Sequence, residues 1–211
     1  MRRLIGWVWQ RAFLGRLTRQ TGFQLSATDV QAEINRMPRG QMPGTDAARR
    51  FNLLMAESLH AAARLLEREA GLPREDAVEA ARTAFVSGGS WLARGFVRLW
   101  LRLERDPYKG VDTRGAAPLS KALWGNGMVV EDRRGHAHIS LCVLSCPFQD
   151  YFWNVGRSDL TPVLCEWDTN WQTEVNASPR PIRVDIKSTL ARGDDLCEFT
   201  FTRACETQSR Q

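Results

Sequence analysis

Apolar positions in the first half of the chain recur with helical spacing. Residues 3–19 interleave Leu4, Ile5, Trp7, Val8, Trp9, Phe13, Leu14 and Leu17 with Arg, and on a helical wheel these groups cover more than half the circumference. Such a helix packs on the main body or a second subunit, or lies on a membrane surface with its Trp rings at the interface. The stretch from Asn35 to Gly44 holds two Pro and two Gly with little apolar content and reads as a linker. Thr45 then has the chemistry of a helix N-cap, with Asp46 in the first turn. Phe51, Leu54, Met55, Leu59, Ala62, Leu65 and Leu66 carry one face on to Ala70, and Gly71 with Pro73 stops it. A further helical stretch opens at Pro73-Arg-Glu-Asp and runs through Val78, Ala81 and Phe85 to Gly88-Gly89. Ser90 recaps it, and Trp91, Leu92, Phe96, Leu99, Trp100 and Leu103 continue to Asp106-Pro107. The pattern leaves open whether residues 74–105 are one kinked helix or two.

The period changes to two after Pro118. Gly127 to Asp132, the turn Arg133-Arg-Gly135 and His136 to Leu144 read as a hairpin, in which Ala137, Ile139, Leu141 and Val143 alternate with His136, His138, Ser140 and Cys142. Pro181–Leu190 and Leu196–Arg203 form a second hairpin around Arg192-Gly-Asp-Asp195. Ile182, Val184, Ile186, Cys197, Phe199 and Phe201 take its apolar side, and Glu198, Thr200 and Thr202 take the solvent side. Residues 147–155 and 159–171 predict short helices, the second capped by Ser158 and buried through Leu160, Val163, Leu164, Trp167 and Trp171. Residues 110–118 follow no pattern. Helices followed by antiparallel strands give an α+β fold. The long helices of residues 45–105 should form a layer on one face of a small antiparallel sheet built from residues 127–144 and 181–203. The organisation expected is an N-terminal basic, Trp-rich helix and linker (1–44) and an α+β domain (45–211).

Composition narrows the class. With 211 residues, 43% hydrophobic and 25% charged, the chain is globular and large enough for a real core. No apolar run approaches a membrane span. The basic opening is interrupted by Arg11 and Arg16 and lacks a small-residue cleavage site, so a cytoplasmic location is expected. The net charge of +5 sits mainly in the first 50 residues, but most of the 29 basic groups are Arg spread along the chain with no Lys/Arg-rich block. That spread argues against a nucleic-acid partner. A small-molecule substrate, a protein partner or membrane surface for the N-terminal helix, and a homo-oligomer are the partners expected.

Candidate chemistry lies in the cysteines. Cys142, Cys146, Cys165, Cys197 and Cys205 include no Cys-x-x-Cys pair, so neither a disulfide framework nor a zinc ribbon fits. Cys165 and Asp168 lie three apart on a short helix, a turn apart on one stripe. They suit a nucleophile with a polar neighbour, two metal ligands, or a buried thiol beside a solvated carboxylate. Cys146-Pro147 stands where a strand gives way to a helix, at the positive helix end that stabilises thiolates. Cys197 reads as a core residue and Cys205 as irrelevant. His136 and His138 share a strand face and suit either one metal or solvent. His60 falls on the polar side of its helix with Arg64 and Glu67 and reads as solvated. No Walker loop, G-x-G-x-x-G, H-E-x-x-H or G-x-S-x-G occurs.

Taken in order, Cys146-Pro-Phe, Leu164-Cys-Glu-Trp-Asp168, Thr189-Leu-Ala-x-Gly193 and Cys197-x-Phe-x-Phe201 resemble the L-2-amino-thiazoline-4-carboxylic acid hydrolase family over residues 45–203. The resemblance implies a hydrolase that opens a cyclic amidine-like C–N/C–S system to an N-carbamoyl amino acid, with Cys146, Cys165, Asp168 and Cys197 at the matching positions. Cys146, Cys165 and Asp168 are the catalytic candidates it implies. Water or Cys146 would attack, Asp168 would manage protons, and an Arg that the sequence does not single out would hold the substrate carboxylate. Cys146 and Cys165 should then lie within about 8 Å of each other, close enough to share a site. The C-terminal half more distantly resembles small-molecule-sensing domains of the vinyl-reductase type, which implies a binding module without turnover, its cysteines holding zinc. No cofactor other than that zinc is implied.

Overall fold

The computed structural model describes residues 2–38 and 40–204, with the side chains of residues 2–4 left aside. Cys205 lies outside the described residues. The fold is α+β, and its helices, with one small sheet, run in the order α1 (Arg2–Thr21), α2 (Ala27–Arg36), α3 (Ala47–Arg68), α4 (Arg74–Ser87), α5 (Ser90–Leu103), α6 (Pro107–Arg114) and α7 (Ala117–Trp124). Then come β1 (Val129–Arg134), β2 (His138–Ser145), α8 (Pro147–Asn154), α9 (Thr161–Trp167), α10 (Thr169–Ala177), β3 (Arg183–Ser188) and β4 (Cys197–Thr202). Both hairpins form, and β2 pairs with β4 to join them in one antiparallel sheet of order β1-β2-β4-β3. The register sets Ile139 opposite Phe201, Leu141 opposite Phe199 and Val143 opposite Cys197.

Two apolar cores divide the molecule. In the first, Trp9, Phe13 and Leu17 of α1 pack with Met55, Leu59 and Leu66 of α3, Phe85 of α4, and Phe148, Phe152, Leu160 and Val163. Phe13 and Phe85 are fully buried with ring centroids 5.6 Å apart, and truncating either should cost about 3–5 kcal/mol. In the second, the inner face of the sheet (Val130, Ile139, Leu141, Val184, Phe199, Phe201) is covered by Val97 and Leu101 of α5, Val111 of α6, Ala117 of α7 and Val175 of α10. The helical layer therefore differs from the pattern expected over residues 45–105. Only α5 from that stretch lies on the sheet, while α3 and α4 build the helical core with α1.

The structure settles or corrects several local expectations. Residues 74–105 are two helices, because Gly88-Gly89 ends α4 and Gly89 takes a left-handed φ of 74° before α5 begins. Asp46, not Thr45, caps α3, its Oδ1 accepting from Ala48 N and Arg49 N while Oδ2 accepts from Asn126 N. Ser158 caps nothing; it begins a single 3-10 turn, Ser158–Leu160, that leads into α9. The patternless residues 110–118 form the end of α6, the link Gly115-Ala116 and the start of α7, where Asp132 accepts from Ala116 N and Ala117 N. Thr200 is buried rather than solvent-facing. It and Ser140 sit in the two central strands, where their hydroxyls lie 3.2 Å apart and the longer Glu198 accepts from Ser140.

Candidate functional site

Topology brings the family-like motifs to one place. β2 ends at Ser145, so Cys146 follows directly and caps α8, whose first helical residue is Pro147. Opposite the end of β2 the register puts Cys197, the first residue of β4. The 3-10 turn Leu190–Arg192 before it packs against α9, which carries Cys165, and Asp168 forms the joint between α9 and α10. Cys146 touches both apolar cores, as does Trp124, so the cluster sits where the helical core meets the sheet core. Trp124 lies edge-on to Phe148 at 5.9 Å and to Trp167 at 6.0 Å.

Electrostatics tie the four residues together. The Cys165 thiol is pushed up first by burial, then by Cys146, Cys197 and Asp168, with Arg192 pulling the other way. Cys146 is raised to about 12 by burial, which outweighs the backbone N–H groups of Gln149 and Phe148 that favour its thiolate. The expected thiolate at a helix N-terminus is thus overturned, because two amide donors do not replace the water lost on burial. Cys197 is also raised by burial, although Leu190 N donates to its sulfur at 3.3 Å. All three groups are neutral thiols at neutral pH.

Asp168 is different. Burial raises it from 3.8 to about 7, against the single hydrogen bond that Trp171 Nε1 donates to its Oδ1 at 3.0 Å. A carboxyl that titrates near neutrality in surroundings of low polarity has the tuning of a general base or acid. Asp168, Cys146 and Cys165 are each partly buried as whole residues. Cys197 is buried, in keeping with a support from the sheet side.

Some participants are not visible in the sequence pattern. Arg192 is the exposed cation that acts on Cys165, but one Arg among many carries no mark. The Trp167 indole N–H is buried with no acceptor among the described residues. Trp167 is expected only as a core residue, and nothing in its spacing distinguishes it.

The histidines stand apart. His136 and His138 are exposed on the hairpin. His60 is buried, not solvated, because its polar neighbours on α3 are spent on packing elements: Arg64 pairs with Glu33 of α2 and Glu67 with Arg157. Among the described residues no three His, Cys, Asp or Glu side chains are grouped to hold a metal ion. Two surface clefts lie elsewhere, one of about 310 Å³ along Gln41, Pro43 and Trp153, the other of about 390 Å³ between α5 and α10. Among the described residues no helix is long and apolar enough to cross a membrane.

One family model matches most of the chain. The family model described as L-2-amino-thiazoline-4-carboxylic acid hydrolase matches residues 51–201, a span that contains every residue of the cluster. No curated protein matches the sequence. Among solved structures, an H-NOX protein from S. oneidensis in its Fe(II) ligation state aligns at 11% identity and a TM-score of 0.40, over 97% of this chain and 98% of that one. An unliganded Fe(II) H-NOX protein from K. algicida aligns at 11% identity and a TM-score of 0.36, over 98% of this chain and 99% of that one.

Proposed function

Since the chain belongs to the L-2-amino-thiazoline-4-carboxylic acid hydrolase family, we propose that it hydrolyses a small cyclic amidine-like substrate bearing a carboxylate, at the cluster of Asp168, Cys146 and Cys165. The observation that carries this reading is Asp168, a carboxyl raised to about 7 among three neutral thiols within the matched span.

Water is the attacking group in this reading, because thiols held protonated at neutral pH are poor nucleophiles. The ionised Asp168 takes a proton from water as its oxygen bonds to the amidine carbon. The same carboxyl passes that proton to the ring nitrogen, which receives the C=N electron pair. It then moves the new hydroxyl's proton to the ring sulfur as the C–S bond breaks and the carbonyl forms, and an open-chain carbamoyl amino acid with a free thiol leaves. Trp171 Nε1 fixes Asp168 in place through Oδ1 and leaves Oδ2 for water. Arg192 binds the substrate carboxylate with its planar fork. The Cys146 and Cys165 sulfurs form a soft, polarisable wall against the ring.

The test is turnover of L-2-amino-thiazoline-4-carboxylate by the purified chain and by Asp168→Asn. Wild type should open the ring, and Asp168→Asn should lose about 10²–10⁴-fold in kcat while remaining folded. Arg192→Ala should raise KM more than it lowers kcat. Binding without turnover in the wild type, or an Asp168→Asn variant of undiminished rate, would overturn the reading.

A further inference from the structure

Helix α5 is apolar on two opposite sides. Val97 and Leu101 enter the sheet core, whereas Phe96, Leu99 and Leu103 point away from it and are 55, 55 and 75% exposed. With the half-buried Leu92 they repeat at intervals of four, three and four residues, the spacing of a coiled-coil a/d seam. The seam runs the length of a helix of about 21 Å. Solitary exposed apolar residues need no explanation, but a continuous row in heptad register does.

We infer that this seam is the two-fold interface between two copies of the chain, the α5 helices packing antiparallel. Self-complementarity selects the occupant. In an antiparallel pair, Leu92 faces Leu103 of the second copy and Phe96 faces its Leu99, so every layer matches large with large. The flanks then match small with large. Gly95 comes opposite Arg102 on one side, and Ala93 opposite Trp100 on the other.

Gly95 is open enough for this, since a Cβ there would meet nothing within 4 Å in the single chain. Arg102 consequently extends over a glycine instead of meeting its own copy, and Arg98 is already neutralised by Glu174 at 2.7 Å. The cleft of about 390 Å³ beside the seam, lined by Arg98, Leu101, Arg102 and Pro179, lies on the same flank as the exposed Trp91. Under the two-fold, Trp91 of the second copy comes to that end of the helix, where arginine and aliphatic surface suit an indole.

Area sets the strength. An exposed row of this kind amounts to several hundred Å², and a stable interface takes about 800 Å² from each partner, so the seam provides roughly half and the flanks the remainder. The dimer should therefore be reversible, dissociating in the micromolar range.

Sedimentation velocity of the full chain over a concentration series tests this directly, with Leu99→Glu and Gly95→Arg alongside. Wild type should shift from monomer to dimer with concentration, and both variants should weaken dimerisation at least tenfold. Gly95→Arg separates association from folding. It sets Arg against Arg102 of the second copy, yet it replaces a helical glycine in open space and should keep or raise the unfolding temperature. A wild type that stays monomeric throughout, or dimers that persist in both variants, would overturn the inference. So would a monomeric wild type that binds phosphatidylglycerol vesicles and is released by Leu99→Glu, which would give the seam to a membrane surface.

Discussion

Two residues titrate far from their ordinary values, Asp168 keeping its proton and His60 refusing one, and they pull stability in opposite directions. Asp168 releases its proton at 3.8 in the open chain and at about 7 when folded. Between those values the native state keeps a proton that the unfolded state has lost, so stability falls as pH rises. His60 is moved from 6.5 to about 4 by burial, then by Arg157 and Arg64, against Asp159 and Glu33. Below 6.5 the unfolded chain gains a proton that the native state refuses, so stability falls as pH falls. Over the shared window the two slopes offset each other. Urea unfolding across pH 4–8 should be nearly flat for wild type with respect to these groups. Asp168→Asn should uncover a stability that rises with pH up to about 6.5, and above pH 7 it should exceed wild type. His60→Gln should uncover the opposite slope, falling as pH rises toward 7. Two variants with the same slope would refute the assignment.

Among the elements, α2 shows how charge can dock a helix. It buries only Val30 and Glu33. Burial opposes the charge on Glu33, but hydrogen bonds from Arg64 and Arg68 of α3 outweigh it and keep the carboxylate ionised. Glu33→Ala should cost about 2 kcal/mol and speed hydrogen exchange in α2 far more than in α3. The same composition hides the helix from an apolar pattern, although Ser26 and Asp29 form a capping box at its start. Helices α6 and α7 are hidden for a related reason. Each has eight residues and buries only Val111 or Ala117 in the sheet core, with Tyr108 and Trp124 packed against it in part. By contrast α3, α4 and the two hairpins are legible, since each buries a periodic face. Which face meets which is not legible. Periodicity gives a helix its buried side without naming the partner, so α3 and α4 read equally well as a sheet cover or as a helical core.

At the scale of the molecule, the proposed site lies at the junction between two cores. Cys146, Cys165, Asp168 and Cys197 are visible in the sequence as motifs in order, and β2–β4 pairing supplies the reason they meet. Their protonation is not visible there, because it depends on how much water the packed cores exclude. The central claim is that Asp168 activates water while the thiols remain neutral, and the pH dependence of kcat/KM on L-2-amino-thiazoline-4-carboxylate tests it most directly. The rate should rise through a single ionisation near 7 and stay level through the range where an exposed thiol would ionise, about 8.5. A profile with no inflection near 7, or one that climbs with a thiol ionising near 8.5, would contradict it.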